Sequence, residues 1–286
     1  MWKVTLPDTG DIDAQLDAAL IYVNGDVIHA LTQVEREAIH ALYGRYDELL
    51  GEPDATLIPA GLAACADVLR DAYGEVQKNG RLKDLRERLL GGVMECPLCG
   101  SGPATTLDHH LAKDQYRALS INPRNLVPSC QPCNRAKGVL AAVAGEGLIH
   151  AYFQPLPAVT FLEADITYEN AALTARFCVN GAVLDPGLAA RLAFQLNRLE
   201  LNSRYPDAIN ILMFNLKPGF CCLRGKPNER DLLHEFLTFI GTSYDEDFGL
   251  NHWRAALARG LAGCEPFLLD PWPYFDRPPA GLQAAA

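Results

Sequence analysis

The chain is expected to fold as an α+β protein, and three features of its order predict that class. Helix-period apolar patterning runs through the first 90 residues, two Cys-x-x-Cys pairs frame a strand-like run in the middle, and an alternating Val/Thr/Phe/Tyr stretch at 158–184 precedes more helical sequence. The division that follows is a helical N-terminal region over 1–90, a cysteine-framed motif over 91–145, and a mixed, mainly helical C-terminal region with a β-hairpin over 146–286. A chain of 286 residues exceeds the ~100–200 residues of one domain, so two or three structural units are expected.

Taken in order, the apolar patch AALIYV followed by Asn24-Gly25 reads as a helix running into a turn. Thr32 and Glu35 have the spacing of a capping box, in which each side chain satisfies the other's unpaired helix-start amide. Val34, Ile39, Leu42, Tyr46 and Leu49 extend that helix to about Leu50, and Gly51-Glu52-Pro53-Asp54 ends it. Two further helices are expected over 60–76 and 80–90, stopped by Gly91-Gly92. Beyond Gly138, VLAAVAGEGLIHAYFQ reads as helical up to Pro155-Leu156-Pro157. The stretch at 158–184 then reads as a hairpin turning at Glu169-Asn170-Ala171-Ala172. Asp185-Pro186 is an N-cap with proline at the first helical position, and helices are expected after it and near 204–216, 229–241 and 250–262. The Pro-rich tail from Pro266 is expected to dock through its aromatics.

No apolar run approaches the ~18 residues of a membrane span, and no secretory signal pattern opens the chain, so a cytoplasmic location is the expectation. Net charge is −10, which by itself disfavours a nucleic-acid partner because phosphate neutralisation supplies most non-specific affinity. Between Arg81 and Lys137, however, nine basic residues face five acidic ones, so any such contact is focused on the centre of the chain.

Nine cysteines in a chain read as cytoplasmic fit reduced thiols and a metal site better than disulfides. Cys96, Cys99, Cys130 and Cys133 form two Cys-x-x-Cys turns able to hold one structural Zn2+ in a tetrahedral four-cysteine site. The thirty residues between them carry Asp108, His109 and Asn125, and Asn134 and Lys137 follow on an expected helix from about Gln131. On a regular strand Asp108 and His109 point to opposite sides, so they share a target only where the strand ends or bends.

Over this stretch, CPLCGSGPATTLDHHLAKDQYRALSINPRNLVPSCQPCNRAKG, the sequence resembles the HNH endonuclease family, in the subgroup with a four-cysteine structural zinc. The resemblance implies a central zinc-stapled ββα-metal HNH finger. It implies His109 as general base on a water, Asp108 and Asn134 as ligands of a catalytic divalent cation, and Asn125 as the residue holding the loop that orients the base. Oxygen ligands favour Mg2+ or Mn2+ in that role. Lys137 is a candidate phosphate contact or a solvated helix residue. The implied activity is hydrolysis of DNA, with a restriction or anti-phage setting and a companion ATPase or sensor by analogy alone. The alternatives are an RNase and a catalytically inactive nucleic-acid-binding or adaptor module. His110 is read as structural, on the strand face opposite His109, and His29, His40, His150, His234 and His252 are each read as structural. Asp245-Glu246-Asp247 is read as solvating or capping a helix.

Overall fold

The computed structural model describes residues 4–22, 24–140 and 143–276, and divides into one compact unit ending at Leu156 and another starting at Pro157. The chain is α+β, mostly helical, with two two-stranded antiparallel sheets. No helix among the described residues is long and apolar enough to cross a membrane.

In the first unit, α1 (Ile12–Ala19) starts at Asp11, whose carboxylate accepts the Ala14 amide. The expected turn follows, closed by a bridge between Ile21 and Val27. Helix α2 (Gln33–Glu48) begins with the complete Thr32/Glu35 capping box. The helix expected over 60–76 is instead a chain of short pieces: 3-10 turns at Ala60–Leu62 and Ala72–Val76 flank α3 (Ala66–Asp71). Leu62, Leu69 and Val76 are buried from all three pieces, so the apolar spacing is used but the backbone bends between them. Helix α4 (Lys83–Gly91) leads to the first cysteine pair.

Strand β1 (Thr106–His109) pairs antiparallel with β2 (Leu126–Ser129), and α5 (Gln131–Lys137) follows at once. Leu107, Leu119 and Leu126 belong to the same buried cluster as Leu16, Ile39 and Tyr46, so the cysteine-framed motif and the N-terminal helices share one core. Helix α5 stops at Gly138, whose φ is +58°. No helix occurs over the described residues of 139–154. Gly145 and Gly147 have φ of +75° and +81° there, values that helical backbone excludes.

In the second unit the expected hairpin is β3 (Leu162–Glu169) with β4 (Ala172–Val179), paired Leu162↔Val179 through Glu169↔Ala172. Asn170 and Ala171 both have positive φ, as a two-residue hairpin turn matched to strand twist requires. Helix α6 (Pro186–Arg198) opens on the Asp185 cap and Pro186. Helices α7 (Leu201–Cys221), α8 (Glu229–Phe248) and α9 (Trp253–Ala262) are longer than or shifted from the expected spans. Helix α9 lies so close to β3 that a Cβ on Gly260 would sit 2.4 Å from the Ala164 carbonyl. The Pro-rich tail contributes α10 (Glu265–Leu269) and α11 (Trp272–Phe275), with Phe267 and Phe275 buried, and its last ten residues lie outside those described.

Candidate metal centre and active site

The four cysteines meet as the spacing predicts. Their sulfurs lie within 4.8 Å of one another and all four residues are buried. The first turn closes through the Gly100 amide onto the Cys96 carbonyl at 2.7 Å, with Gly100 at φ +67°. In the second, Cys130 is the N-cap of α5 and its sulfur accepts the Cys133 amide at 3.5 Å. A tetrahedral Zn2+ with bonds of ~2.3 Å needs sulfur pairs ~3.8 Å apart. Cys99 and Cys130 are 3.7 Å apart, so the donors fit a buried structural ion.

The strand face toward α5 collects Thr106 and Asp108. Asn134 Nδ2 donates to Thr106 Oγ1 at 3.2 Å, and Lys137 Nζ is 3.1 Å from Asp108 Oδ2 while also donating to the His109 carbonyl. Lys137 is 6% exposed. Its ammonium is an internal partner of Asp108, so of the two expectations the solvated helix residue does not hold. Burial pushes the Asp108 carboxyl up, with the Lys137 charge acting against it.

His109 faces the other way. Strand β1 ends at His109 as expected, but its pairing is regular through Asp108↔Val127 and His109↔Leu126, and the two side chains keep to opposite sides. The His109 ring lies against Tyr73 at 4.3 Å, and its Nε2–H donates to the Ser120 carbonyl at 2.9 Å. Burial there lowers its pKa to about 4.

His110, one residue past the strand end, lies on the Asp108 side. Asp108, His110 and Lys137 line one small crevice with Val127, Leu148 and Ile149. The His110 ring packs on His150 at 4.0 Å. His150 Nδ1 accepts the Tyr152 amide, so its Nε2–H donates to Tyr46 Oη at 2.8 Å, and the tyrosine hydroxyl donates to Asn125 Oδ1 at 3.1 Å. Asn125 is fully buried and also accepts the Leu111 amide, while its Nδ2 donates to the Leu111 and Leu119 carbonyls. It therefore fixes the turn directly after His110.

His150 thus belongs to this network, which sequence reading missed. No pattern in the sequence links it to Gly51, whose φ is +76° and where a Cβ would stand 2.3 Å from His150 Cδ2. Part of the basic island is paired with carboxylates: Arg81 with Glu75, Arg117 with Asp67 and Arg124 with Asp47. Lys83, Arg88 and Arg135 are exposed. Among the described residues, Asp108 belongs to no cluster of three or more His, Cys, Asp or Glu donors.

No protein-family model matches this chain, and no solved structure matches it. A stretch of 93 residues is 32% identical to Protein ea31 of Escherichia phage lambda, covering 32% of this chain and 29% of that protein. The chain thus spans under a third of the curated relative that it matches.

Proposed function

We propose that this chain is a metal-dependent HNH endonuclease that hydrolyses phosphodiester bonds in DNA, with the four-cysteine zinc as scaffold and the β1, β2 and α5 elements as its ββα finger. The observation that carries the reading is the convergence of a carboxylate, Asp108, and an imidazole, His110, on one crevice faced by a helix that two of the cysteines anchor.

The proposal moves the proton acceptor from His109 to His110. His109 is buried and packs on Tyr73, away from the Asp108 crevice, whereas His110 lies beside Asp108. His110 takes the proton of the attacking water. Asn125 holds its backbone, and His150 supports its ring. Asp108 and the Asn134 amide oxygen are the groups that would hold Mg2+ or Mn2+, which needs few protein ligands because it keeps waters and binds substrate phosphate. Such an ion would supply positive charge to the phosphate oxygens during displacement. Lys137 neutralises Asp108, and a bound cation would take over that role. The products are 5′-phosphate and 3′-hydroxyl ends. By analogy alone, a cytoplasmic restriction or anti-phage role with a companion ATPase or sensor belongs to the same proposal.

The Asp108–Lys137 pair also favours a second reading, a zinc-stabilised nucleic-acid-binding or adaptor module in which the lysine has replaced the cation. Supercoiled plasmid and an RNA of matched length, each incubated with the purified chain in Mg2+, Mn2+ or chelator, separate these readings. Cation-dependent plasmid nicking is expected. RNA cleavage alone supports an RNase, and binding without cleavage under every condition supports the adaptor.

A further inference from the structure

We propose that His29, Glu35 and Cys65 form a second metal site, separate from the four cysteines, for a thiophilic divalent ion such as Zn2+. Three donors of three chemistries arrive from three segments: His29 from the loop before α2, Glu35 from the first turn of α2, and Cys65 from the position preceding α3. Their ligand atoms all lie within 4.8 Å of one another.

The His29–Glu35 spacing suits a shared ion better than a hydrogen bond, and the Cys65 thiol, which donates to the Leu62 carbonyl at 3.5 Å, would exchange that weak bond for the ion. His29 Nε2 is 3.6 Å from Glu35 Oε1, too long for a hydrogen bond. It is close to the ~3.3 Å edge expected between nitrogen and oxygen ligands with ~2.0–2.2 Å bonds to one tetrahedral ion. That nitrogen is buried and has no hydrogen-bond partner, an arrangement that costs free energy unless something else satisfies it. The carboxylate is already oriented. Glu35 Oε2 accepts the Thr32 amide at 2.8 Å and the Thr32 hydroxyl at 2.9 Å, which turns Oε1 toward His29. Support of a ligating carboxylate by outer hydrogen bonds is a recurring feature of metal sites.

Charge favours the same reading. Two helix starts meet here, which by themselves repel a cation, but a carboxylate and a thiolate together balance a divalent ion. Cys65 is fully buried, and binding would deprotonate its thiol and release one proton. Three protein ligands leave a fourth position for water or a small ligand. The ion would tie the start of α2 to the start of α3, where the backbone is broken into short turns.

The test is metal content of the full chain after equilibration with Zn2+ and desalting, compared among the parent, His29→Ala, Cys65→Ser and Glu35→Gln. Glutamine retains the acceptor needed for a capping box, so Glu35→Gln removes the anionic ligand and leaves the helix start. Each of the first two variants is expected to hold about one equivalent less zinc than the parent. Glu35→Gln is expected to weaken that equivalent by more than the ~10–100-fold that loss of a supporting partner costs. Circular dichroism at parent values establishes that each variant is folded, and a variant that does not fold is replaced by Glu35→Gln as the deciding protein. Unchanged zinc content and affinity in folded variants would overturn the proposal. The comparison is a difference from the parent, so it holds whether or not the four-cysteine site is filled or the chain cleaves DNA.

Discussion

Exchanging the adjacent histidines for alanine one at a time should separate chemistry from stability. His109 is buried, packs on Tyr73 and satisfies the fully buried Ser120 carbonyl. Truncation leaves a cavity where large-to-alanine changes cost ~2–5 kcal/mol, and it strands a carbonyl at ~1–3 kcal/mol. Allowing for partial collapse, His109→Ala should lose about 3 kcal/mol, a fall in Tm of roughly 6–12 °C for a unit of this size. His110 is only half-buried and its ring contact with His150 is worth ~1 kcal/mol, so His110→Ala should melt within about 4 °C of the parent. Nicking should show the opposite order. Loss of a general base costs ~10²–10⁴-fold in rate, so His110→Ala should be slowed by that factor while folded His109→Ala, assayed well below its Tm, keeps most activity. Thermal melts and initial nicking rates on the same preparations measure both. A His110→Ala protein that cleaves at the parental rate, beside a stable His109→Ala protein that does not cleave, would refute the assignment and restore His109 as the base.

Three other outcomes are expected. Cys130→Ser should lose the structural zinc and with it cleavage, as seen by metal analysis and nicking together, although no zinc need touch substrate. Gly51→Ala combines a positive φ with a Cβ placed 2.3 Å from His150 Cδ2; the backbone alone costs ~1–2 kcal/mol, and denaturant melts should show at least that loss. Stability should also fall on mild acidification. The His109 pKa is near 4 in the folded chain against 6.5 unfolded, so the unfolded chain binds the extra proton between those values. Its neutral burial contributes fully above pH 6.5 and is lost toward pH 4, by roughly 2 kcal/mol at pH 5. His109→Gln should have a correspondingly shallower fall from pH 7 to pH 5.

Local chemistry was legible wherever neighbours in sequence are neighbours in space. The Thr32/Glu35 box, the Asp185-Pro186 helix start, the hairpin at Asn170-Ala171 and the cysteine cluster all depend on residues a few positions apart, or on a ligand type with few other uses. The stretch from 60 to 76 was not legible because 3-10 and α turns share nearly the same apolar spacing. An Ala- and Val-rich run after Gly138 likewise looks helical until the positive φ of Gly145 and Gly147 is known. In the site, strand alternation required Asp108 and His109 to diverge unless the strand ended or bent there; the strand ends at His109, and the two side chains still lie on opposite sides. Which of the two faces the core was set by Tyr73 and the Ser120 carbonyl, distant partners that no local pattern announces.

The same distances link the cysteine cluster to the Asp108 crevice, so an ion held by the sulfurs would act on that crevice without touching it. Cys130 caps α5 and Cys133 lies within it, immediately before Asn134. One turn of that helix therefore connects the sulfurs to the Asn134–Thr106 hydrogen bond and the Lys137–Asp108 pair. Helices of seven residues are too short to persist on their own propensity, so α5 depends on the cysteine cluster at its start and the core beneath it to hold its face against β1. Releasing the sulfurs would free Asn134 and Lys137 together and leave Asp108 a buried carboxylate without its cation. Zinc bound by the cysteines would therefore form in one folding event with the geometry of the Asp108 crevice, and a metal titration monitored through Lys137 or Asn134 should follow the occupancy of the cysteines.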